Sequence, residues 1–231
     1  MITWIALSAA HAADLQHTVG LRYRHGVVPN GILDLWFFDS DDPEALPYDR
    51  PKVSANVFGL EYTLGMSKSG GPKLQAWVER WAFPLDAGYW DDEESPADHT
   101  DGDWVEPDGL GAWAIGFNFA QEIALSSTTA PVWVGLGVGG GLGLGFSSGT
   151  LTVWHPGYHQ DSLDPDCLHD AVAPDRHDTC GNDGTIDMPG TVPIVDLTFG
   201  PVVHLTEHAM VRIDLGVHDF LYGGVAAGGS F

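Results

Sequence analysis

The sequence predicts an all-β protein, an eight-stranded antiparallel up-and-down transmembrane β-barrel with three long acidic extracellular loops. Three observations predict this class: apolar residues recur at every second position, short and long connections alternate, and acidic residues gather in the long connections. The 231-residue chain carries 9 Lys+Arg against 32 Asp+Glu, a formal charge of −23, and contains 9 Trp and 10 Phe. So many aromatic residues exclude a disordered chain, and the acidic surplus excludes a nucleic-acid binder.

The first residues have the features of an export signal. Ile2–Ala10 is apolar, and Ala10-His11-Ala12 matches the small-x-small pattern that a signal peptidase cleaves. Residues 1–12 are therefore predicted to form a signal peptide, and 13–231 the mature barrel domain. A buried N-terminal strand is the alternative, and export is favoured because the chain becomes polar at Asp14.

The mature chain contains eight segments with a two-residue period, which in chain order are 16–25, 56–66, 74–83, 112–125, 132–146, 194–206, 209–218 and 221–231. The first two place Arg22, Arg24 and Glu61 on the parity opposite to their Val, Leu and aromatic residues. The third is ambiguous, because apolar and charged residues around Trp77 and Glu79 mix both parities. The fourth alternates large apolar residues with small or polar ones.

The fifth segment carries the sharpest pattern. Its Val, Leu and Phe residues share one parity, and the opposite parity is Trp133 followed by glycine at every second position from Gly135 to Gly145. A face without side chains belongs where space is scarce, so we expect it to line the inside of a narrow barrel. The last three segments repeat the alternation, with Val, Leu and Ile set against polar or small residues.

The small and charged parity is predicted to face the lumen, because hydrocarbon tolerates few charges. The lumen charge network predicted in this way is Arg22, Arg24, Glu61, Glu122, Asp196, His204, Arg212 and Asp214. Opposite charges in a water-poor lumen must pair, and eight strands leave an interior that side chains just fill. We therefore expect a plugged barrel, and a narrow ion path along the same charges is the alternative.

The long connections, at 27–54, 86–109 and 156–190, hold most of the acidic residues. In the third of them the candidate oxygen ligands for a metal are Asp161, Asp164, Asp166, Asp178, Asp183 and Asp187. Their spacing does not match a calcium-binding loop, so the prediction is a solvated acidic loop with, at most, loosely bound Ca²⁺ shared with lipopolysaccharide phosphates. No other cofactor is predicted.

Both cysteines, Cys167 and Cys180, lie in that same polar segment. Disulfides persist in oxidising compartments, which agrees with export. The prediction is a disulfide between them rather than a reactive thiol.

At this point the chain resembles the small eight-stranded outer-membrane barrels of Gram-negative bacteria, the OmpA-type and OmpW-type transmembrane domains. The resemblance rests on the export site, the alternating strands and the C-terminal segment with Tyr222, Val225 and the terminal Phe231. That segment looks like the family's signal for the outer-membrane barrel assembly machinery. The resemblance implies an outer-membrane location with membrane lipid and lipopolysaccharide as neighbours, and it leaves the oligomeric state open.

Three function classes follow from these patterns. The first is a non-enzymatic barrel with a structural or surface-interaction role, with a narrow transport channel as its variant. The second is a barrel enzyme acting on lipid A or phospholipids, for which His155 or His204 with Ser147 or Ser148 would be the candidates. The third is a soluble barrel that binds an apolar ligand, and the shortage of Lys and Glu on the small-residue face argues against it.

Overall fold

The structure is a computed structural model, and it describes residues 15–28, 53–66, 70–90, 103–154, 183–188 and 190–231. The regular elements in these ranges are strands: β1 Gln16–Val27, β2 Ser54–Gly65, β3 Gly71–Ala82, β4 Gly88–Trp90, β5 Asp103–Ala124, β6 Trp133–Trp154, β7 Asp183–Asp187, β8 Val192–Thr206, β9 Ala209–His218 and β10 Leu221–Ser230. Within the described residues no helix is long and apolar enough to cross a bilayer. The predicted signal peptide lies outside these ranges.

Eight of the strands close into one antiparallel barrel, as predicted. Around the ring the order is β5-β3-β2-β1-β10-β9-β8-β6, and pairing of β6 with β5 completes the circle. The first and last strands pair along nearly their whole length, from Thr18 opposite Ser230 to Val27 opposite Leu221. The sheet therefore has no free edge around the ring, which is how closure removes unpaired backbone groups.

The two ends of the barrel differ. Short turns join β2 to β3, β5 to β6 and β8 to β9, and we call this the short-turn end. Long connections join β1 to β2, β3 to β5 and β6 to β8 at the opposite, long-loop end. The β9–β10 turn at Asp219 and Phe220 also lies at the long-loop end, and Asp219 has a positive φ of 57° there.

The wall alternates as the parity argument predicts. Along β8, inward residues are buried and outward ones exposed, so that Asp196 is 0% and Phe199 53% exposed. The inward glycines of β6 make room for an aromatic ring, because a Cβ on Gly143 would lie 2.5 Å from the Trp77 ring. An apolar surface therefore surrounds a tightly filled interior.

The structure resolves the ambiguous third segment and revises several boundaries. On β3 the buried inward residues are Gln75, Trp77, Glu79 and Trp81. Lys73, which directly precedes the predicted third segment, is part of β3. The predicted fourth and fifth strands were too short, because β5 and β6 continue past the ring as a two-stranded extension. Short strands β4 and β7 pair with this extension, within segments predicted to be loops.

Candidate functional site: the barrel interior

The interior is built in three levels along the barrel axis. At the long-loop end an apolar cap is formed by the buried residues Val28, Val53, Ala55, Trp81, Ala112, Ile194 and Phe220. Trp81 and Phe220 pack edge to face, with ring centroids 5.3 Å apart. Apolar side chains that interlock in this way exclude water from their level of the lumen.

Beneath the cap lies the central ion cluster, made of Arg22, Arg24, Glu79, Asp196 and His218. Arg22 Nη2 lies 2.5 Å from Glu79 Oε1, and Arg24 Nη1 lies 3.3 Å from Asp196 Oδ1. All five side chains are buried. Charges removed from water to this extent are tolerated only because each faces an opposite charge.

His218 occupies the centre of that cluster. Its Nε2 lies 2.9 Å from Glu79 Oε2 and its Nδ1 lies 3.2 Å from Asp196 Oδ1. Each ring nitrogen therefore lies close to a carboxylate oxygen, and Nδ1 also lies 3.4 Å from Arg24 Nη1. The ring is also enclosed by aromatic neighbours, with the centroids of Trp77 and Trp81 at 5.3 and 5.0 Å.

Neutral polar groups extend the cluster. Asn118 Nδ2 donates to Asp196 Oδ2 at 2.5 Å, and Trp77 Nε1 donates to Asn118 Oδ1 at 3.0 Å. The Tyr222 ring lies under the guanidinium of Arg24, 4.2 Å from it, and its hydroxyl reaches Asp196. The carboxylate of Asp196 is thereby shared among partners from several strands.

The third level, towards the short-turn end, contains two further ion groups. Arg212 contacts Glu61 Oε2 at 2.9 Å and Asp214 Oδ1 at 2.5 Å. Glu122 contacts the amine of Lys73, and the His204 Nε2 atom at 2.6 Å. The imidazole of His204 is stacked on Trp133, with centroids 3.8 Å apart and planes 5° from parallel.

A small cavity of about 30 Å³ lies between these ion groups. Its lining includes Thr18, Thr63, Gln75, Thr198 and Met210. The hydroxyl of Thr63 has no hydrogen-bond partner among the described residues. A space of this size corresponds to the room of at most about two water molecules, which is far below the volume of a typical ligand pocket.

All eight residues of the predicted lumen charge network are buried inside the barrel, and the structure brings them into the three ion groups above. Sequence reasoning missed Glu79, His218 and Lys73. Arg212 and Asp214 on β9 share one parity, and His218 at the end of that strand has the same parity. That pattern could have identified His218. For Glu79 the mixed third segment gave no such signal.

The other predicted sites divide between described and undescribed residues. Cys167, Cys180, Asp161, Asp164, Asp166 and Asp178 lie outside the described residues. Asp183 and Asp187 lie on β7, a strand rather than a loop. In the C-terminal segment Tyr222 points into the interior, while Val225 and Phe231 are exposed, Phe231 at 75%.

The candidate catalytic pairs for a lipid-modifying enzyme do not form in the described part. His204 pairs in register with Trp133 at the short-turn end of β6. Ser147 and Ser148 lie fourteen and fifteen residues further along that strand, about 45 Å away at the usual rise per residue. A nucleophile and its base must be within hydrogen-bond reach, so His204 cannot act as the base for either serine. His155 lies outside the described residues.

Comparison with known proteins gives little. No protein-family model and no curated protein matches the chain. Among solved structures the chain is similar to Ail, the attachment invasion locus protein of Yersinia pestis, in a crystal structure with the heparin analogue sucrose octasulfate. The TM-score is 0.39 at 9% sequence identity, covering 94% of this chain and 97% of that one. The fold assignment rests on the strand pairing described above.

Proposed function

We propose that this chain is a non-enzymatic outer-membrane β-barrel of a Gram-negative bacterium, with a structural or surface-interaction role and a closed interior. The observation that carries the proposal is the division between the two faces of the wall. Outward residues such as Phe117 and Leu142 are 58% and 57% exposed, whereas Arg24 and Asp196 inside are 0% exposed. A soluble protein does not present a continuous apolar belt to water, and a bilayer requires one.

The strand architecture supports the same placement. Every barrel strand pairs with a neighbour on both sides, so the backbone hydrogen bonds of the strands are made within the ring, as a bilayer requires. The strands of the ring are ten or more residues long, and about 9–11 residues are needed to cross the hydrocarbon layer at a tilt of about 45°. The short-turn end then faces the periplasm and the long-loop end the exterior, as is usual for such barrels.

A non-catalytic role is supported by the interior itself. Its titratable groups are engaged with one another: Glu122 with His204, Arg212 with Glu61, and Arg24 with Asp196. The cavity that Glu122 and Arg212 line has a volume of about 30 Å³, which is too small for a lipid substrate. We therefore favour a surface role in which the barrel anchors the acidic loops.

The experiment is fractionation and heat-modifiable gel migration of the expressed protein. We expect it to fractionate with outer membranes, to need detergent for solubility, and to migrate differently before and after boiling. A mature chain that stays monomeric in detergent-free buffer would overturn the proposal. Lipid A mass spectra from cells with and without the protein would reveal a modifying activity if the non-enzymatic part is wrong.

A narrow channel is the second candidate, favoured by the small cavity between the ion groups near the short-turn end. The apolar cap and the central ion cluster lie in series with this cavity. We propose that they interrupt the path, so that solvent enters from one side without crossing.

A further inference from the structure

The lipid-facing wall carries one charged side chain that the proposed function does not explain. Within the described ring of eight strands, Arg80 is the one Arg, Lys, Asp or Glu residue on the outward parity. Its neighbours along β3, Glu79 and Trp81, are buried inside, and Arg80 itself is part-exposed on the outer wall. A charge in this position is costly unless it lies at the membrane surface and meets an opposite charge.

The height of Arg80 places it at that surface. Arg80 is nine positions along β3 from Gly71, where the strand leaves the short-turn end. At about 3.3 Å per residue and a strand tilt of about 40°, the vertical distance is roughly 23 Å. The apolar band of such barrels is about 25 Å tall, so Arg80 lies at its long-loop edge, at the level of the outer headgroups.

An aromatic belt, the row of in-register residues on the outer wall, flanks Arg80 on both sides and changes height by about 3 Å per strand at this tilt. In register with it across the wall are Phe58 on β2 and Trp113 on β5, and Tyr23 and Phe146 continue the row on either side. Phe58 and Trp113 are 59% and 57% exposed to the surroundings of the barrel. Aromatic rings gather at the membrane–water interface, which supports the height derived from the strand geometry.

The guanidinium is held in a defined niche. It lies 5.8 Å from the centroid of the Trp113 ring, within the range of a cation–π contact. It also covers Gly111, which is buried despite its outward parity, and a Cβ on Gly111 would lie 2.6 Å from Arg80 Nη1. Arg80 Nη1 is buried against Gly111 and has no hydrogen-bond partner among the described residues, so a ligand would meet the other nitrogens of the guanidinium.

From this position we infer that Arg80 binds a phosphate group of the glycolipid in the outer leaflet. A guanidinium offers paired donors that match phosphate oxygens, and the charge-assisted contact is stronger than a neutral one. The anion that lies at this height against an outer-membrane barrel is the phosphate of lipid A. The aromatic belt on both sides of Arg80 would pack against the upper part of the acyl chains. The inference rests on the proposed membrane placement.

The test is native mass spectrometry of the folded barrel in detergent micelles that contain phosphorylated lipid A, dephosphorylated lipid A or inorganic phosphate. We expect the wild-type barrel to retain phosphorylated lipid A about tenfold better than the dephosphorylated form, as one charge-assisted contact implies. Arg80→Gln should abolish this preference, and Arg80→Lys should keep part of it. Inorganic phosphate at equal concentration should not displace the lipid.

Glu207→Gln is the matched control, because it changes one charge at the opposite rim, where the Glu207 side chain is 84% exposed. It should leave lipid retention unchanged. Equal retention by wild type and Arg80→Gln would overturn the inference, as would displacement by inorganic phosphate. Each sample is also run unboiled and boiled on a gel. A barrel that folds in micelles but shows no preference refutes the lipid site alone, whereas a chain that needs no detergent refutes the membrane placement.

Discussion

The imidazole of His218 lies between the carboxylates of Glu79 on β3 and Asp196 on β8, at the centre of the interior. Replacing it with leucine leaves Glu79 and Asp196 without the partner that lies 2.9 and 3.2 Å from them. We expect His218→Leu to lower the free energy of unfolding by about 3 kcal/mol, the usual loss when one member of a buried ion group is removed. Urea titration of the folded barrel in micelles measures this loss.

His208 is the control for that substitution. It lies in the β8–β9 turn, and its side chain is 69% exposed. His208→Leu should change stability by less than about 0.5 kcal/mol, as surface substitutions usually do. Equal effects of the two substitutions would show that the central ion cluster does not depend on His218.

Asp219 lies in the β9–β10 turn, outside the barrel wall, and it is predicted to make the stability of the protein depend on pH. Burial raises the pKa of its carboxyl above the ordinary value, and the nearby carboxylate of Asp196 adds to the increase, while the amide of Val195 donates to Asp219 Oδ1 at 3.0 Å. Because the folded state holds this proton more tightly, the contribution of Asp219 to stability is present at low pH. It is lost as pH rises from the ordinary value, about 3.9, through the raised one.

Asp219→Asn should remove that dependence, because the amide keeps an acceptor for Val195 and asparagine tolerates the positive φ of 57°. Unfolding of wild type and variant in urea between pH 3 and pH 7 gives the comparison. The stability of the variant relative to wild type should increase as pH rises. A difference that stays constant with pH would contradict the prediction.

At the scale of the strand, the glycines of β6 are not equivalent. A Cβ on Gly143 would lie 2.5 Å from the Trp77 ring and 2.6 Å from a backbone oxygen of β5, whereas a Cβ on Gly145 would meet nothing closer than 3.4 Å. Both face inward. We expect Gly143→Ala to cost about 1–3 kcal/mol through overpacking, and Gly145→Ala to be tolerated. The readout is the urea midpoint of each folded variant in micelles.

Strands β6, β3 and β5 differ in how much of their structure the sequence predicts. The β6 glycine face identified the barrel interior because nothing but a crowded lumen explains it. The same crowding made the pattern of β3 ambiguous. Trp77 points inward against Gly143 and Trp81 points inward into the apolar cap, so apolar residues occupy both faces of this strand. The 103–110 part of β5 was missed because it extends beyond the ring, so no barrel interior imposes alternation on it.

At the scale of the whole molecule, the three interior levels predict that the barrel does not conduct ions. The central ion cluster closes the lumen with contacts of 2.5 to 3.3 Å, and the apolar cap covers it. Purified barrel in planar lipid bilayers should therefore give no stable conductance steps. Reproducible single-channel openings would contradict the closed interior and favour the transport alternative.

The closed ring and the direction of its faces were accessible from the sequence, because a two-residue period and a glycine-only parity are local patterns. The partners within the interior were not. Arg24 and Asp196 are 172 positions apart and meet only because the ring closes. Which cation faces which carboxylate depends on strand stagger, and no pattern within a single strand encodes it.

The extension of β5 and β6 beyond the ring makes the rim uneven. Eight residues of β5 precede the point where it joins β3, a height of roughly 20 Å at the usual rise and tilt. The molecule thus carries a fin on one flank, braced by β4 and β7. The rim is therefore not equivalent all the way around the barrel axis. A neighbouring molecule that contacts this fin would bind the barrel in one orientation about that axis.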